Sequence, residues 1–117
     1  MKGIHLFIIS MIIWVLSQVL IKNGMNKFAG IGINLNFFIR ALTSPFVLAG
    51  IFLSGIGVLV WLIILSRYEL SYSNLIVSFT YVLMVLASII FFREHISTLR
   101  WIGTFFIMVG VYLVFKT

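Results

Sequence analysis

Between Leu70 and Phe92 an otherwise apolar run carries Ser71, Asn74, Ser78, Tyr81 and Ser88, four hydroxyls and one amide spaced three, four or seven residues apart. On a helix those positions share one face, and Ile76, Phe79, Leu83, Leu86 and Ile90 take the others. Lipid tails cannot hydrogen-bond such groups, so the face must meet another helix or a hydrated cavity. Two readings stand, close helix packing and the lining of a pathway. A second polar row lies near the N-terminus, where Trp14, Gln18 and Lys22 recur every four residues with Ser17 beside them. Gln18 is the most expensive of these in hydrocarbon, which makes it either a structural hydrogen bond to a partner helix or a substrate contact. No nucleophile, base and orienting group recur together at usable spacing, so these residues point to binding rather than to catalysis, and no enzyme activity is expected. Cysteine is absent and the two histidines, His5 and His95, are far apart, so no metal or other cofactor is indicated.

The elements that position these groups follow from composition. In a chain of 117 residues, 63% hydrophobic and 9% charged, with a mean hydropathy of +1.28, there is too little polar surface to cover a soluble domain. The chain reads as an all-α integral membrane protein with one transmembrane domain spanning residues 1–117. Eight basic residues against two acids give +6. These charges sit at the ends of apolar runs, where they meet lipid phosphates, and nucleic acid is not an expected partner. The run from Ile4 to Ile21 is too long for a secretory signal core and has no small-residue cleavage site after it, so it is expected to stay as the first helix.

Four transmembrane helices are predicted, over residues 4–22, 45–66, 70–92 and 98–115. The first ends at Lys22, Asn23 and Gly24, which can snorkel, cap and stop it. Residues 34–43, with Phe37, Phe38 and Ile39 among Asn34, Asn36 and Arg40, resemble a short interfacial helix; the alternative is a loop merging into the next helix. Ser44 and Pro45 read as N-cap and first-turn proline of the second span. There Gly50, Ser54, Gly57 and Trp61 share a face on which another backbone can approach. Glu69 lies in a short turn with Arg67, where an interfacial ion pair is the plain reading. Ser97 caps the last helix, whose Gly103 and Gly110, seven apart, suit a helix interface, including one with another subunit. Orientation is weakly encoded: Lys2, Arg67 and Lys116 share one side, and Lys22, Lys27, Arg40, Arg93 and Arg100 the other, which slightly favours termini outside the cytoplasm.

Four helices in this length, the lysine closing the first, the run Phe92-Arg93-Glu94-His95-Ile96-Ser97, and Trp101-Ile102-Gly103 through Gly110-Val111 resemble the small four-helix branch of the drug/metabolite transporter superfamily. That branch holds the small multidrug resistance exporters and the paired subunits that flip undecaprenyl-phosphate-linked aminoarabinose. The exporters use a glutamate in the middle of helix one; alignment on Lys22 puts Trp14 there. Glu69 and Glu94 lie at helix ends, so no group at membrane depth can alternate between proton and cation.

The flippase branch fits better, through the turn from Arg67 to Ser71 with the Asn74, Ser78 and Tyr81 stripe, and through Ser44-Pro45 and Trp61. The resemblance implies a homodimer, or a heterodimer with a similar short subunit, in the bacterial inner membrane. Its expected cargo is a polyprenyl-phosphate-linked sugar or related anionic lipid. Lys22, Arg40 and Arg93 are then the expected phosphate contacts, and Trp14, Gln18, Trp61, Asn74, Ser78 and Tyr81 the head-group contacts, because phosphate suits Arg and Lys while a sugar suits hydroxyl, amide and aromatic groups. Two alternatives remain open. One is an exporter of organic cations or metabolites, with Glu69 as the coupling candidate; the other is a scaffold for an envelope glycosyltransferase that transports nothing.

Overall fold

The computed structural model describes residues 3–28, 30 and 32–117. The described residues form α1 (Ile4–Met25), a 3-10 turn (Asn26–Phe28), α2 (Leu35–Thr43), α3 (Pro45–Arg67), α4 (Leu70–Val77), α5 (Thr80–Phe92) and α6 (Thr98–Phe115). Four segments are long and apolar enough to cross a membrane: Ile4–Phe28, Pro45–Arg67, Leu70–Phe92 (α4 with α5) and Thr98–Phe115. The protein is therefore an all-α, multi-pass membrane protein.

α1 packs most extensively against α3, and small residues permit it. A Cβ on Gly50 would lie 2.8 Å from the Ser17 carbonyl oxygen and 2.5 Å from Ile21 Cγ1. Ser17 is fully buried on the facing side, its hydroxyl donating to the Trp14 carbonyl at 2.8 Å. Gly24 is part of the same seam, where an added Cβ would stand 2.7 Å from Val47 Cγ2. It does not stop the helix as the sequence suggested, since helical hydrogen bonding runs on to Met25. Packing against α3 supplies what the glycine lacks in propensity.

The N-terminal end of α1 meets the α3–α4 turn in an aromatic cluster. Phe7 is fully buried, with ring centroids 5.1 Å from Tyr68 and 6.1 Å from Tyr72. Met11, Ile64 and Ile76 complete that core. At the opposite end α2 is capped by Asn34, whose Oδ1 accepts the Phe37 N–H at 2.9 Å. Leu35, Phe38, Ile39 and Leu42 form an exposed apolar face on it, the pattern a helix in the headgroup plane shows to lipid. Ser44 precedes Pro45 as anticipated but makes no side-chain cap; its buried Oγ has no partner among the described residues. Proline at the first helical position has no N–H, so the helix start has one fewer unpaired donor to satisfy.

The accessible surface is 8037 Å², whereas a soluble monomer of 13.3 kDa exposes roughly 6,500 Å². The surplus is apolar helix face. α6 is the least buried of the spans, with 6% of its window buried against 17–22% in the other three.

Candidate functional site: two cavities along one face of α1

On α1, Ser10, Trp14, Gln18 and Lys22 follow one another at four-residue steps, a row about 18 Å long at 1.5 Å per residue. The upper half of the row opens into one cavity and the lower half into another. The first, of about 370 Å³, is lined by Ser10 and Trp14 of α1, Ser54, Gly57 and Trp61 of α3, Asn74 of α4, and Ser78, Thr80 and Tyr81 at the α4–α5 join. The second, of about 330 Å³, is lined by Gln18 and Lys22 of α1, Met84, Ser88 and Phe92 of α5, Glu94 of the following turn, and Arg100 of α6. Both sit at the small end of the range for ligand sites, roughly 300–1,000 Å³. Gln18 lies one turn beyond Trp14 on α1, and Met84 about one turn beyond Tyr81 on α5, so the cavities stack end to end along the same two helices.

The chemistry of the two differs. None of the described residues lining the first cavity carries a charge at neutral pH. Two of its hydroxyls and its amide spend protons on their own helices: Ser54 Oγ donates to the Gly50 carbonyl at 2.9 Å and Ser78 Oγ to the Asn74 carbonyl at 3.0 Å, while Asn74 Nδ2 donates to the Leu70 carbonyl at 2.9 Å. Their oxygens remain as acceptors, and Trp14, about half exposed, brings an indole donor. Uncharged acceptors and donors of this kind match the chemistry of a neutral polyhydroxylated group. The second cavity carries two cations, Lys22 and Arg100, against one carboxylate, Glu94, among apolar walls.

Local structure explains how these residues are aimed. The run Leu70–Phe92 is not one uninterrupted helix, as its periodicity suggested. At Ser78 and Phe79 the bonding tightens to three-residue spacing, with the Phe79 N–H on the Ile76 carbonyl at 3.2 Å and the Tyr81 N–H on the Ser78 carbonyl at 3.0 Å. Side chains that bond back to the preceding turn, as Asn74 and Ser78 do, compete for the carbonyls of a regular helix and bend it.

At the far end of α5, Arg93 adopts the left-handed conformation (φ 52°, ψ 36°), a state costing about 1 kcal/mol for a residue with a side chain. The Ser88 carbonyl accepts both the Arg93 N–H and, at 3.2 Å, the Glu94 N–H. That clamp folds Glu94 back to the cavity. On α6, Ser97 Oγ accepts the Arg100 N–H at 3.3 Å, confirming the expected cap and setting the first turn that brings Arg100 to the same mouth.

The structure thus gathers Trp14, Trp61, Asn74, Ser78 and Tyr81 around one cavity and Gln18 with Lys22 around the next. Arg40, in the last turn of α2, and Arg93 are exposed and line neither. Glu69, at the N-cap of α4, is exposed and likewise outside both. A Cβ on Gly103 or Gly110 would meet nothing within 4 Å, so neither glycine makes a close helix contact among the described residues. Ser10, Thr80, Glu94 and Arg100 line the cavities without having been singled out as contacts. Ser10 was legible as the next member of the Trp14, Gln18, Lys22 row. Arg100 had only its spacing from the Ser97 cap as a signal.

Comparison with known proteins agrees with this architecture. Over 74 residues the chain is 37% identical to the probable 4-amino-4-deoxy-L-arabinose-phosphoundecaprenol flippase subunit ArnE of Aeromonas hydrophila, covering 63% of this chain and 65% of that protein, just under two thirds of the relative's length. A Pseudomonas fluorescens protein of the same name is 27% identical over 111 residues, 95% of each chain. The probable subunit ArnF of the same flippase from Serratia proteamaculans is 32% identical over 121 aligned positions, 97% of this chain and 92% of that one. No solved structure matches. The profile of the EamA-like transporter family matches residues 1–116, and with four helices long and apolar enough to span a membrane, the chain belongs to that family.

Proposed function

We propose that this chain is one subunit of an inner-membrane flippase that moves a polyprenyl-phosphate-linked sugar, working as a dimer with a second short subunit of the same kind. One observation carries the reading: a charged mouth and an uncharged hydroxyl and indole chamber follow each other along α1 and α5. Lys22 and Arg100 hold the phosphate, Arg through paired N–H donors and Lys as a point charge. The sugar enters the chamber, where serine and asparagine oxygens accept its hydroxyl protons and the indoles donate to its oxygens. The polyprenyl tail stays in hydrocarbon beside the apolar walls. The names of the relatives support this cargo class, and the absence of charge among the described residues lining the first cavity speaks against cation-for-proton exchange there. The exposed face of α6 leaves room for the second subunit.

The test uses the protein purified from its own membrane with any subunit that accompanies it, reconstituted into vesicles containing the aminoarabinose-linked lipid. A membrane-impermeant amine reagent should label the outer-leaflet share alone in empty vesicles and nearly the whole pool when the protein is present. Lys22→Gln and Arg100→Gln should each slow labelling tenfold or more, since a hydrogen bond to a charged group is worth about 1.5–3 kcal/mol. Labelling that stays at the outer-leaflet share with the wild-type protein refutes the proposal.

A further inference from the structure

We propose that α2 is a lipid-selective surface anchor: its apolar side enters the acyl boundary of the leaflet at the C-terminal end of α1, and Lys27 and Arg40 gather anionic phospholipid head groups there. The partner is the bulk anionic lipid of the bilayer, apart from any lipid that the two cavities carry.

Three observations carry it. First, α2 has three sides of different chemistry. At roughly 100° per residue, Leu35, Phe38, Ile39 and Leu42 share an arc of about the same width, and they are 52–76% exposed. Asn36, Arg40 and Thr43 take the next arc and are exposed as well; Ala41, buried, and Phe37, half-buried, take the third. That third side is the one against protein, with the Phe37 ring 6.2 Å from the Phe28 ring. A short helix that leaves both an apolar side and a cationic side open is built for the head-group plane.

Second, α2 is held at the level where a span begins. It has 9 residues, about 14 Å at roughly 1.5 Å per residue, less than half of the roughly 30 Å hydrocarbon core. A single extended residue, Ser44, joins it to α3. Ala41 and Ser44 are buried at that corner, which seats α2 beside the first turn of α3.

Third, charge decides which lipid meets it. Lys27 and Arg40 line neither cavity, and the Lys27 ammonium lies 5.8 Å from the centre of the Phe46 ring, in the first turn of α3. No acid occurs between Lys22 and Pro45. The helix ends and connections on this side of the antiparallel spans carry Lys22, Lys27, Arg40, Arg93 and Arg100 against Glu94 alone, and Glu94 lines the cavity that Lys22 and Arg100 also line. Lipid phosphate is therefore the counter-charge open to Lys27 and Arg40. A zwitterionic head group brings its own ammonium with that phosphate, whereas an anionic one brings net negative charge, so the surface selects the anionic lipid.

The experiment uses the full chain, which contains no cysteine. Ile39→Cys on the apolar side of α2 and Phe106→Cys on the exposed face of α6 each carry a fluorescent reporter, with Leu35→Cys as a second α2 site in case the first disturbs packing. The protein is reconstituted into bilayers of equal phosphatidylglycerol and phosphatidylcholine in which one lipid or the other is brominated in its acyl chains, and iodide serves as the aqueous quencher. The α2 reporters should be quenched by lipid and hardly by iodide. One basic residue near an anionic surface is worth about fivefold, so quenching at α2 should favour phosphatidylglycerol tenfold or more, against a ratio near one at Phe106→Cys. Lys27→Gln and Arg40→Gln should each cut that preference about fivefold, and Arg40→Lys should keep it. Equal ratios at α2 and α6, or a preference that survives removal of both charges, overturns the lipid selectivity. Quenching by iodide would place α2 in water, and shielding from all three quenchers would place it under a second protein chain; either result overturns the anchor.

Discussion

Replacing Gly50 by alanine tests whether the α1–α3 seam holds both cavities in place. The added Cβ would stand 2.8 Å from the Ser17 carbonyl oxygen and 3.1 Å from the Ile21 backbone nitrogen. Neither atom can swing aside as a side-chain tip could. Ordinary contact begins at 3.4 Å, so the two helices must part by about 0.6 Å at this level. Overpacking of this kind costs about 1–3 kcal/mol, against a gain of up to about 1 kcal/mol from alanine's better helix propensity. Gly55→Ala is the matched control, since on the same helix a Cβ there meets nothing within 4 Å; it collects the propensity gain without the clash. Thermal unfolding of the two variants in one detergent should therefore separate them, with Gly50→Ala less stable than wild type and Gly55→Ala equal or more stable. Because α1 carries Ser10, Trp14, Gln18 and Lys22, the parting should also lower lipid flux in Gly50→Ala at temperatures where it remains folded. Equal stability of the two variants would show that α1 and α3 do not meet as described, and would remove the basis for placing the Trp14 to Lys22 row against α3 and α5.

Phe7→Ala should be the most damaging single truncation at the opposite end of the bundle. It empties a fully buried site between Tyr68 and Tyr72 at a cost of about 3–5 kcal/mol, read as a large fall in melting temperature. A loss below about 1 kcal/mol would mean the aromatic cluster is not a core. Asn34→Ala removes the acceptor for the Phe37 N–H and should cost α2 about 1 kcal/mol. Amide exchange should accelerate in residues 35–43 and stay unchanged in α3, and protection equal to wild type would refute the cap.

The division between what was legible in the chain and what was not follows from which forces act locally. Lipid as solvent forces every backbone group into an internal hydrogen bond, so apolar run length alone pointed to four helices able to span, and Ser97 marked a helix start through a bond reaching only three residues ahead. Four-residue spacing put Trp14, Gln18 and Lys22 on one face, because that geometry belongs to a single helix. Periodicity is silent about a neighbour. Whether Gly24 ends a helix or seats one depended on Val47 lying against it. One polar row divides into a neutral chamber and a charged mouth only because Trp61 and Asn74 reach its upper half, and Glu94 and Arg100 its lower half. Lys22 shares a cavity with Arg100, which Arg40 and Arg93 do not line, because of a left-handed turn and a helix cap at opposite ends of one short connection. Such placement is a sum of small backbone angles between distant elements, and no window of sequence contains that sum.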